Sequence, residues 1–337
     1  MGLERFGSTD DEDVLQATLT GPDGTEMCVL TWGAVIRDLI VPSASGPQRV
    51  VLGLNSIEDY IAHSPYFGAI VGRYANRIGQ ARFTLNGETH RLNANEGRNQ
   101  LHGGAMGFGS RLWTIIDRKP SALTLALVSD GGDMGYPGRL IATCTYELMD
   151  KARLRIVLEA TCDRPCPVNL TTHSYFNLDG SPDISSHHLM IAGDFITPTQ
   201  ADLIPTGEIK CVEGTDYDFT TLRPIGAVQL MQHRICYDTN YVLREPSGEL
   251  RHAATLKSLK NGLSMELWTS EPGLQFYDGH LLDMSVPGLG GAPYGPHAGL
   301  CLEPQRFPDG PNKAHFPASI LEPGIVSRQV SELRFSR

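Results

Sequence analysis

The chain is most informative between positions 168 and 180, which read Val168-Asn169-Leu170-Thr171-Thr172-His173-Ser174-Tyr175-Phe176-Asn177-Leu178-Asp179-Gly180. At the two-residue period of a β-strand, one face of this segment gathers an amide, a hydroxyl, an imidazole and a phenol. These polar residues are Asn169, Thr171, His173 and Tyr175, and the opposite face takes Leu170, Thr172, Ser174 and Phe176. The pattern predicts a strand whose polar face holds a molecule with many hydroxyl groups. On that face, imidazole is the group whose charge changes near neutral pH.

Short β-type runs recur along the rest of the chain, which contains 36 glycines and 22 prolines. The clearest runs span residues 27–30, 50–54, 123–128, 140–148, 154–160, 189–192, 264–269 and 299–303. Turn signals separate such runs at Pro22-Asp23-Gly24, Leu85-Asn86-Gly87-Glu88 and Lys260-Asn261-Gly262. Helical periodicity is confined to two short stretches, 56–61 and 222–227. The pattern predicts an all-β sandwich or barrel, and the lack of any linker or internal repeat predicts one domain over residues 1–337.

The composition argues against several classes of function. Hydrophobic residues make up 41% of the chain and charged residues 20%, as in a globular protein with a sizeable core. The net charge of −10 argues against nucleic acid as a partner, since phosphate binding needs a basic surface. No run is apolar enough to span a bilayer, and the first residues lack the apolar core of a secretory signal, so a cytoplasmic protein is expected. The seven cysteines are scattered, and no set of Cys and His completes a zinc site. We therefore expect neither a metal nor another cofactor.

Two further polar segments are candidates for ligand binding. The first, residues 72–78, contains Asn76 and Arg77, whose amide and guanidinium groups suit hydroxyl pairs or a carboxylate. The second, residues 99–104, contains His102 followed by two glycines, which allow the backbone to approach a ligand closely. The sequence equally allows Arg77 to tie a loop to a carboxylate without binding a ligand.

Glu303 is the candidate acid–base partner of His173. It follows the apolar segment 299–302, so we expect it at the end of a buried strand, where a carboxylate is costly unless it is paired. A structural ion pair with an arginine is the alternative. Asp238 either accepts hydrogen bonds from a ligand or forms a turn with its own backbone. With Gln275, and without a nucleophile elbow, phosphate loop or dinucleotide fingerprint, these residues point to cofactor-free acid–base chemistry on a polar, uncharged substrate.

Taken in order along the chain, these clusters resemble the aldose 1-epimerase (galactose mutarotase) family. The resemblance extends over nearly the whole chain. It is carried by Tyr-Phe-Gly at 66–68, residues 72–78, Leu-His-Gly-Gly at 101–104, Trp113, and residues 172–180, 197–198, 204–208, 272–279 and 302–316. The family fold is a large antiparallel β-sandwich with few short helices, which agrees with the pattern of strands and turns.

The resemblance implies a reaction that interconverts the α and β anomers of a free aldose such as galactose or glucose. Glu303 resembles the general base that takes the proton from the anomeric hydroxyl group, and His173 resembles the general acid that protonates the ring oxygen. The sugar-binding positions of the family are matched by Asn76, Arg77, His102, Tyr175, Asp238 and Gln275. The chain differs from the family pattern at Thr239, where histidine is common, and this leaves the preferred sugar open.

Two alternatives accompany this interpretation. A hexose-6-phosphate 1-epimerase would need a basic cluster for the phosphate, and the sequence offers none outside Arg73, Arg77 and Arg306. A non-catalytic sugar-binding module would have no use for both His173 and Glu303, since binding alone does not require a matched acid and base. The expected partner is a monosaccharide, and the protein is expected to be a monomer or a homodimer.

Overall fold

Strands with alternating burial build most of the structure. In the hairpin formed by Leu140–Met149 and Arg153–Cys162, buried residues alternate with more exposed ones. The computed structural model describes residues 2–9, 12–226, 235–245 and 247–336. The strands are β1 (Leu3–Thr9), β2 (Glu12–Thr20), β3 (Glu26–Leu30), β4 (Ile36–Ser43), β5 (Gly46–Arg49), β6 (Ile70–Val71), β7 (Arg77–Ile78), β8 (Arg82–Leu85), β9 (Glu88–Arg91), β10 (Gln100–Leu101), β11 (Thr114–Lys119), β12 (Ala122–Ser129), β13 (Leu140–Met149), β14 (Arg153–Cys162), β15 (Cys166–Pro167), β16 (Thr171–Thr172), β17 (Tyr175–Phe176), β18 (His188–Ile191), β19 (Gly193–Ile196), β20 (Lys210–Cys211), β21 (Arg223–Pro224), β22 (Asp238–Leu243), β23 (Arg251–Lys257), β24 (Ser264–Thr269), β25 (Gly273–Tyr277), β26 (Leu300–Gln305), β27 (Ile320–Leu321) and β28 (Ser327–Ser336).

Helices are few and short. The α-helix α1 (Ile57–His63) is joined by 3₁₀ turns at Gly79–Ala81, Phe108–Ser110, Asp133–Gly135 and Gly310–Asn312. None of the helices in the described residues is long and apolar enough to cross a membrane. The segment is helical at α1 because Ser56 caps it, accepting a hydrogen bond from the backbone N–H of Asp59. Of the second expected helix, 222–227, residues 223 and 224 form β21, residues 225 and 226 have 3₁₀ conformation, and position 227 lies outside the described residues.

Two large sheets pack face to face. The larger has nine strands in the order β11-β12-β13-β14-β28-β24-β23-β18-β21, and the smaller has six in the order β17-β26-β25-β22-β19-β20. Neighbouring strands in both sheets pair antiparallel. Side chains from both sheets meet in one hydrophobic cluster, among them Leu125, Ile156, Phe276 and Leu302. The predicted antiparallel β-sandwich is therefore confirmed, with its core between these two sheets.

The segment 168–180 is a strand in two short pieces only. β16 pairs with β6 and β17 pairs with β26, while His173 lies between them. The backbone N–H of His173 donates to the carbonyl group of Ala69 at 2.9 Å, and its own carbonyl group accepts from Gly68 at 3.0 Å. The predicted alternation survives this interruption, since Leu170 and Phe176 belong to the core.

Two of the four polar residues in this segment serve the fold. The side-chain amide of Asn169 donates to two backbone carbonyl groups, and the hydroxyl group of Thr171 donates to the carbonyl group of Pro304 at 2.7 Å. These hydrogen bonds fix the segment against the end of β26. The polar face that meets a cavity is therefore narrower than the sequence predicts, and consists of His173 and Tyr175.

Candidate active site

A cavity of about 480 Å³ lies at the polar face of the six-stranded sheet. Along β22, β25 and β26, alternation places polar side chains on this face and apolar side chains in the core. Seven of the eight predicted site residues line the cavity: Asn76, Arg77, His102, His173, Tyr175, Asp238 and Glu303. The eighth, Gln275, lies outside the lining.

Glu303 and His173 face each other inside the cavity. The Oε2 atom of Glu303 lies 3.8 Å from Nε2 of His173, and both side chains are buried. This distance exceeds a hydrogen bond, and Glu303 Oε2 has no hydrogen-bond partner in the described residues. A buried acceptor without a partner is costly, so the atom is poised to receive a hydrogen bond from a ligand.

Burial drives both groups toward their neutral forms. Desolvation lowers the pKa of His173 from 6.5 to about 4. Desolvation also raises the pKa of Glu303 well above its ordinary value, and the charge of Asp238 adds to this effect while Arg77 opposes it. Burial of the empty site therefore disfavours both the carboxylate of Glu303 and the imidazolium ion of His173.

His102 is positioned by its backbone and by Asn76. Pairing of β7 with β10 brings the two residues together, and the N–H of His102 donates to the carbonyl group of Asn76 at 2.9 Å. In return, the N–H of Asn76 donates to Nδ1 of His102 at 3.1 Å. Because Nδ1 accepts this hydrogen bond, the proton of the neutral ring sits on Nε2. Burial, and then the nearby His173 and Arg77, lower the pKa of His102 well below its ordinary value, so the ring is a neutral donor.

Arg77 takes the structural role that the sequence allows, and its role in binding a ligand stays a prediction. Its Nε and Nη2 atoms donate to the two carboxylate oxygens of Glu96 at 2.6 and 2.7 Å, which ties the loop 93–99 to β7. Its Nη1 atom lies 3.6 Å from Oδ2 of Asp238 and lines the cavity. The guanidinium group is therefore held by one carboxylate through Nε and Nη2, while Nη1 is not used by Glu96.

Gln275 forms a hydrogen bond with Asp238 from outside the cavity lining. Its Nε2 atom donates to Oδ1 of Asp238 at 2.6 Å, and its Oε1 atom accepts from Gln305 at 3.4 Å. The sequence predicts Gln275 as a sugar-binding residue; in the structure it lies outside the cavity lining and hydrogen-bonds to Asp238, and a direct contact with a sugar stays a prediction. The cross-strand register explains the placement, since Gln275 pairs with Asn240 and with Glu303 in the middle of the sheet.

Tyr175 contributes a wall to the cavity. Its hydroxyl group donates to the carbonyl group of Pro65 at 3.2 Å, and its ring packs 5.2 Å from the ring of His173. With its proton used in this way, the phenol presents mainly its ring and an acceptor oxygen. Tyr66 covers the other side of the imidazole pair, 4.6 Å from His102 and 5.7 Å from His173 between ring centroids.

The donor atoms of His102, His173 and Glu303 lie within 4.8 Å of one another, a spacing that could hold a metal ion. The chemistry of His102 works against coordination. One ring nitrogen is occupied by the N–H of Asn76, and the other carries the proton of the neutral ring. These three side chains are better suited to hydrogen bonding than to metal coordination. That the protein works without a metal ion stays a prediction.

Several residues that line the cavity are not predicted as site residues from the sequence. They are Glu96, Tyr217 and His280, together with Tyr66 and Tyr277, which the sequence marks only as parts of segments that carry the family resemblance. Their contacts depend on loops folding over the sheet; for example, Nδ1 of His280 lies 2.7 Å from Oδ1 of Asp278. The polar segment 93–100, with Glu96 inside it, was the one local signal for a further acidic partner.

Comparison with known proteins gives one consistent set of relatives. Residues 16–334 match the family model described as aldose 1-epimerase. A galactose mutarotase from Mus musculus is 41% identical over 321 residues, covering 93% of this chain and 92% of that protein. An aldose 1-epimerase from Escherichia coli K12 is 38% identical over 326 residues, covering 94% of each chain. A solved GalM/aldose epimerase homologue from C. elegans superposes with a TM-score of 0.91 at 29% identity, covering 96% of this chain and 99% of that one.

Proposed function

The chain belongs to the aldose 1-epimerase family, and from that premise we infer that it is a mutarotase, which interconverts the α and β anomers of free aldoses such as galactose or glucose. One observation carries the assignment of roles within the site. His173 and Glu303 are buried in one cavity with reactive atoms 3.8 Å apart, and burial shifts their pKa values in opposite directions. Pairs of titratable groups tuned in this way are typical of acid–base catalysis.

The reaction needs one base and one acid at neighbouring oxygens of the sugar. Glu303 takes the proton from the hydroxyl group on C1, and the electrons of that O–H bond form the aldehyde carbonyl group. The bond between C1 and the ring oxygen breaks, and His173 gives its proton to that oxygen. Rotation about the C1–C2 bond turns the other face of the aldehyde to the ring hydroxyl group. The two residues then exchange roles to close the ring.

A single shared proton suffices for this cycle. In the empty site the proton resides on Glu303, whereas the reactive form has a carboxylate and an imidazolium ion. Both forms contain the same number of protons, so the pair titrates as one unit. Transfer from Glu303 to Nε2 of His173 activates both groups at once, and the 3.8 Å spacing lets the two atoms lie side by side, each facing one of the two oxygens bonded to C1.

The remaining groups suit the hydroxyl groups of a sugar. His102 offers Nε2–H as a donor, Arg77 offers Nη1, and Asp238 offers carboxylate oxygens. Each of these is fixed by a second hydrogen bond: His102 accepts from Asn76, Arg77 donates to Glu96, and Asp238 accepts from Gln275. Groups held in this way bind a ligand with little loss of side-chain freedom.

The charge of the cavity favours a free aldose over a hexose 6-phosphate. Arg77 is the sole Lys or Arg in the described lining, against the carboxyl groups of Glu96, Asp238 and Glu303. The guanidinium group is already bound to Glu96. A phosphate dianion would therefore meet uncompensated negative charge. A direct comparison of rates on glucose and its 6-phosphate is expected to favour the free sugar.

Polarimetry tests the proposal. Freshly dissolved α-galactose and α-glucose should reach their equilibrium rotation faster with the protein than without it, and Glu303→Gln and His173→Asn should remove most of this acceleration. Glu58→Gln on the exposed side of α1 and His90→Asn on β9 are matched controls. A wild-type protein that accelerates no aldose would overturn the assignment. Saturable binding without acceleration would indicate a sugar-binding module instead.

The other features of the protein stay predictions. We propose that residues 1–337 work as a single aldose 1-epimerase-like β-sandwich domain, in keeping with a family match over 16–334. A cytoplasmic location, a monomeric or homodimeric state, and the absence of nucleic-acid and membrane partners are likewise expected from the sequence.

A further inference from the structure

Strand β26 contacts both ring nitrogens of His173. Cys301 and Glu303 are two residues apart on this strand and so project from the same face. The Sγ atom of Cys301 lies 3.5 Å from Nδ1, and Oε2 of Glu303 lies 3.8 Å from Nε2. All three side chains are buried. Strand β26 therefore places one side chain near each ring nitrogen of His173.

The thiol is the side-chain contact that the structure gives to Nδ1 within the described residues, and the backbone of His173 itself offers the ring a further hydrogen bond. Burial raises the pKa of Cys301 well above its ordinary value, and the charge of Glu303 adds to this effect, so the side chain is a neutral thiol. A neutral sulfur accepts a hydrogen bond weakly and carries no charge that would stabilise an imidazolium ion. A carboxylate at this position would accept the hydrogen bond strongly and would stabilise the imidazolium ion, as in Ser-His-Asp triads.

The other groups that face the ring do not replace the thiol. Tyr66, His102 and Tyr175 contact it through their rings, with centroids between 5.1 and 5.7 Å away. Glu303 approaches the opposite nitrogen. Cys301 is therefore the side chain that acts on the protonation site of the neutral ring at Nδ1, beside the hydrogen bond to the backbone of His173.

We propose that Cys301 is a positioning residue, which accepts a hydrogen bond from Nδ1–H of His173 and so keeps Nε2 free to exchange a proton in the cavity; the proposal rests on the acid–base role given to His173 above. In the resting pair the proton is on Glu303, Nδ1 carries hydrogen and Nε2 has a lone pair. When the proton leaves the carboxyl group, Nε2 gains one and Nδ1–H stays in place. Atoms and charge balance without a further reactant.

The direct test is ¹⁵N NMR of protein labelled at histidine. The chemical shifts of the two ring nitrogens report which of them carries hydrogen, and His173→Asn identifies the signals of this ring. We expect Nδ1 protonated and Nε2 unprotonated at neutral pH in the wild-type protein and in Cys301→Ser, which keeps an acceptor. Cys301→Ala should give a mixture of tautomers. Cys144→Ala, which removes another buried thiol from the hydrophobic core, should leave the His173 signals unchanged.

The kinetic counterpart separates positioning from binding. Cys301→Ala should lower kcat about tenfold with KM unchanged, as expected when an imidazole loses the partner that orients it. Cys301→Ser should restore most of the rate. Wild-type signals showing hydrogen on Nε2, or a Cys301→Ala variant with unchanged tautomer and unchanged kcat, would overturn the proposal. Should Cys301→Ala fail to fold, the wild-type and Cys301→Ser spectra decide the question. An inactive wild-type protein would refute the proposed function, while the spectra would still report the role of Cys301.

Discussion

Oε2 of Glu303 and Nε2 of His173 lie 3.8 Å apart in the interior of the protein, and no other group in the described residues satisfies the carboxylate atom. The two residues are neighbours because β17, which follows His173, pairs with β26. Had they formed a tight ion pair, each would have stabilised the charged form of the other. Separation and burial instead disfavour the charged form of each group.

The pH dependence of kcat/KM should show an unusually low acid limb. The active pair holds one proton, so activity is lost when His173 also becomes protonated. Since the pKa of His173 is lowered to about 4, this loss should appear as the pH falls toward 4 rather than near 6.5. On the alkaline side, activity falls when the pair loses its proton, at the raised pKa of Glu303. An acid limb near 6.5 would contradict the account.

Two variants should move the alkaline limb in opposite directions. Arg77 lowers the pKa of Glu303 and Asp238 raises it. Arg77→Met should therefore shift the alkaline limb of the kcat/KM profile to higher pH, and Asp238→Asn should shift it to lower pH. Both variants should also weaken sugar binding. Measuring the rate over a range of sugar concentrations at each pH separates this effect on KM from the shift in pKa. Shifts in the same direction would exclude the proposed charge relationship.

Gln275→Leu should weaken sugar binding more than it slows the chemistry. The variant removes the 2.6 Å hydrogen bond that orients Asp238 and leaves the acid and base in place. We expect KM to rise about tenfold, which corresponds to a loss of about 1.4 kcal/mol of binding free energy, and kcat to be largely retained. Gln16→Leu, at another buried glutamine, is the control. A large fall in kcat without a change in KM would show that Gln275 acts on Glu303 instead.

Gly103 should tolerate no side chain. Its φ is +87°, and an added Cβ would come 2.0 Å from the carbonyl oxygen of Gly72. Gly24 has nearly the same φ, +85°, but nothing within 4 Å of that position. Gly24→Ala should therefore cost only the conformational strain, about 1 kcal/mol, and Gly103→Ala considerably more. Denaturant unfolding measures the loss of stability in both variants. Equal losses would contradict the expectation that the contact with Gly72 destabilises Gly103→Ala.

The sequence predicts the parts of this protein that depend on local periodicity. The alternation in 140–160 and the turn at Asn86-Gly87 appear in the structure, and on the polar side of 168–176 His173 and Tyr175 line the cavity. The pairing of Arg77 with Glu96 and the placement of Gln275 behind Asp238 could not be read in this way. The first depends on how a loop crosses a strand, and the second on the register of three strands distant in sequence.

The roles of His173 and Glu303 came from the family resemblance, since a histidine in a strand is by itself ambiguous. The structure adds what the sequence has no means to encode locally, namely the depth of burial and the separation of the two groups. Those quantities explain why their pKa values move in opposite directions.

The most direct test of the central claim is the mutarotation rate of galactose with Glu303→Gln, with His173→Asn and with the double variant. If the two residues share one proton and act as a unit, each single variant should lose about 10²–10⁴-fold in kcat, and the double variant should lose little more than either. Losses that multiply in the double variant, or a single variant that retains the wild-type rate, would contradict the account.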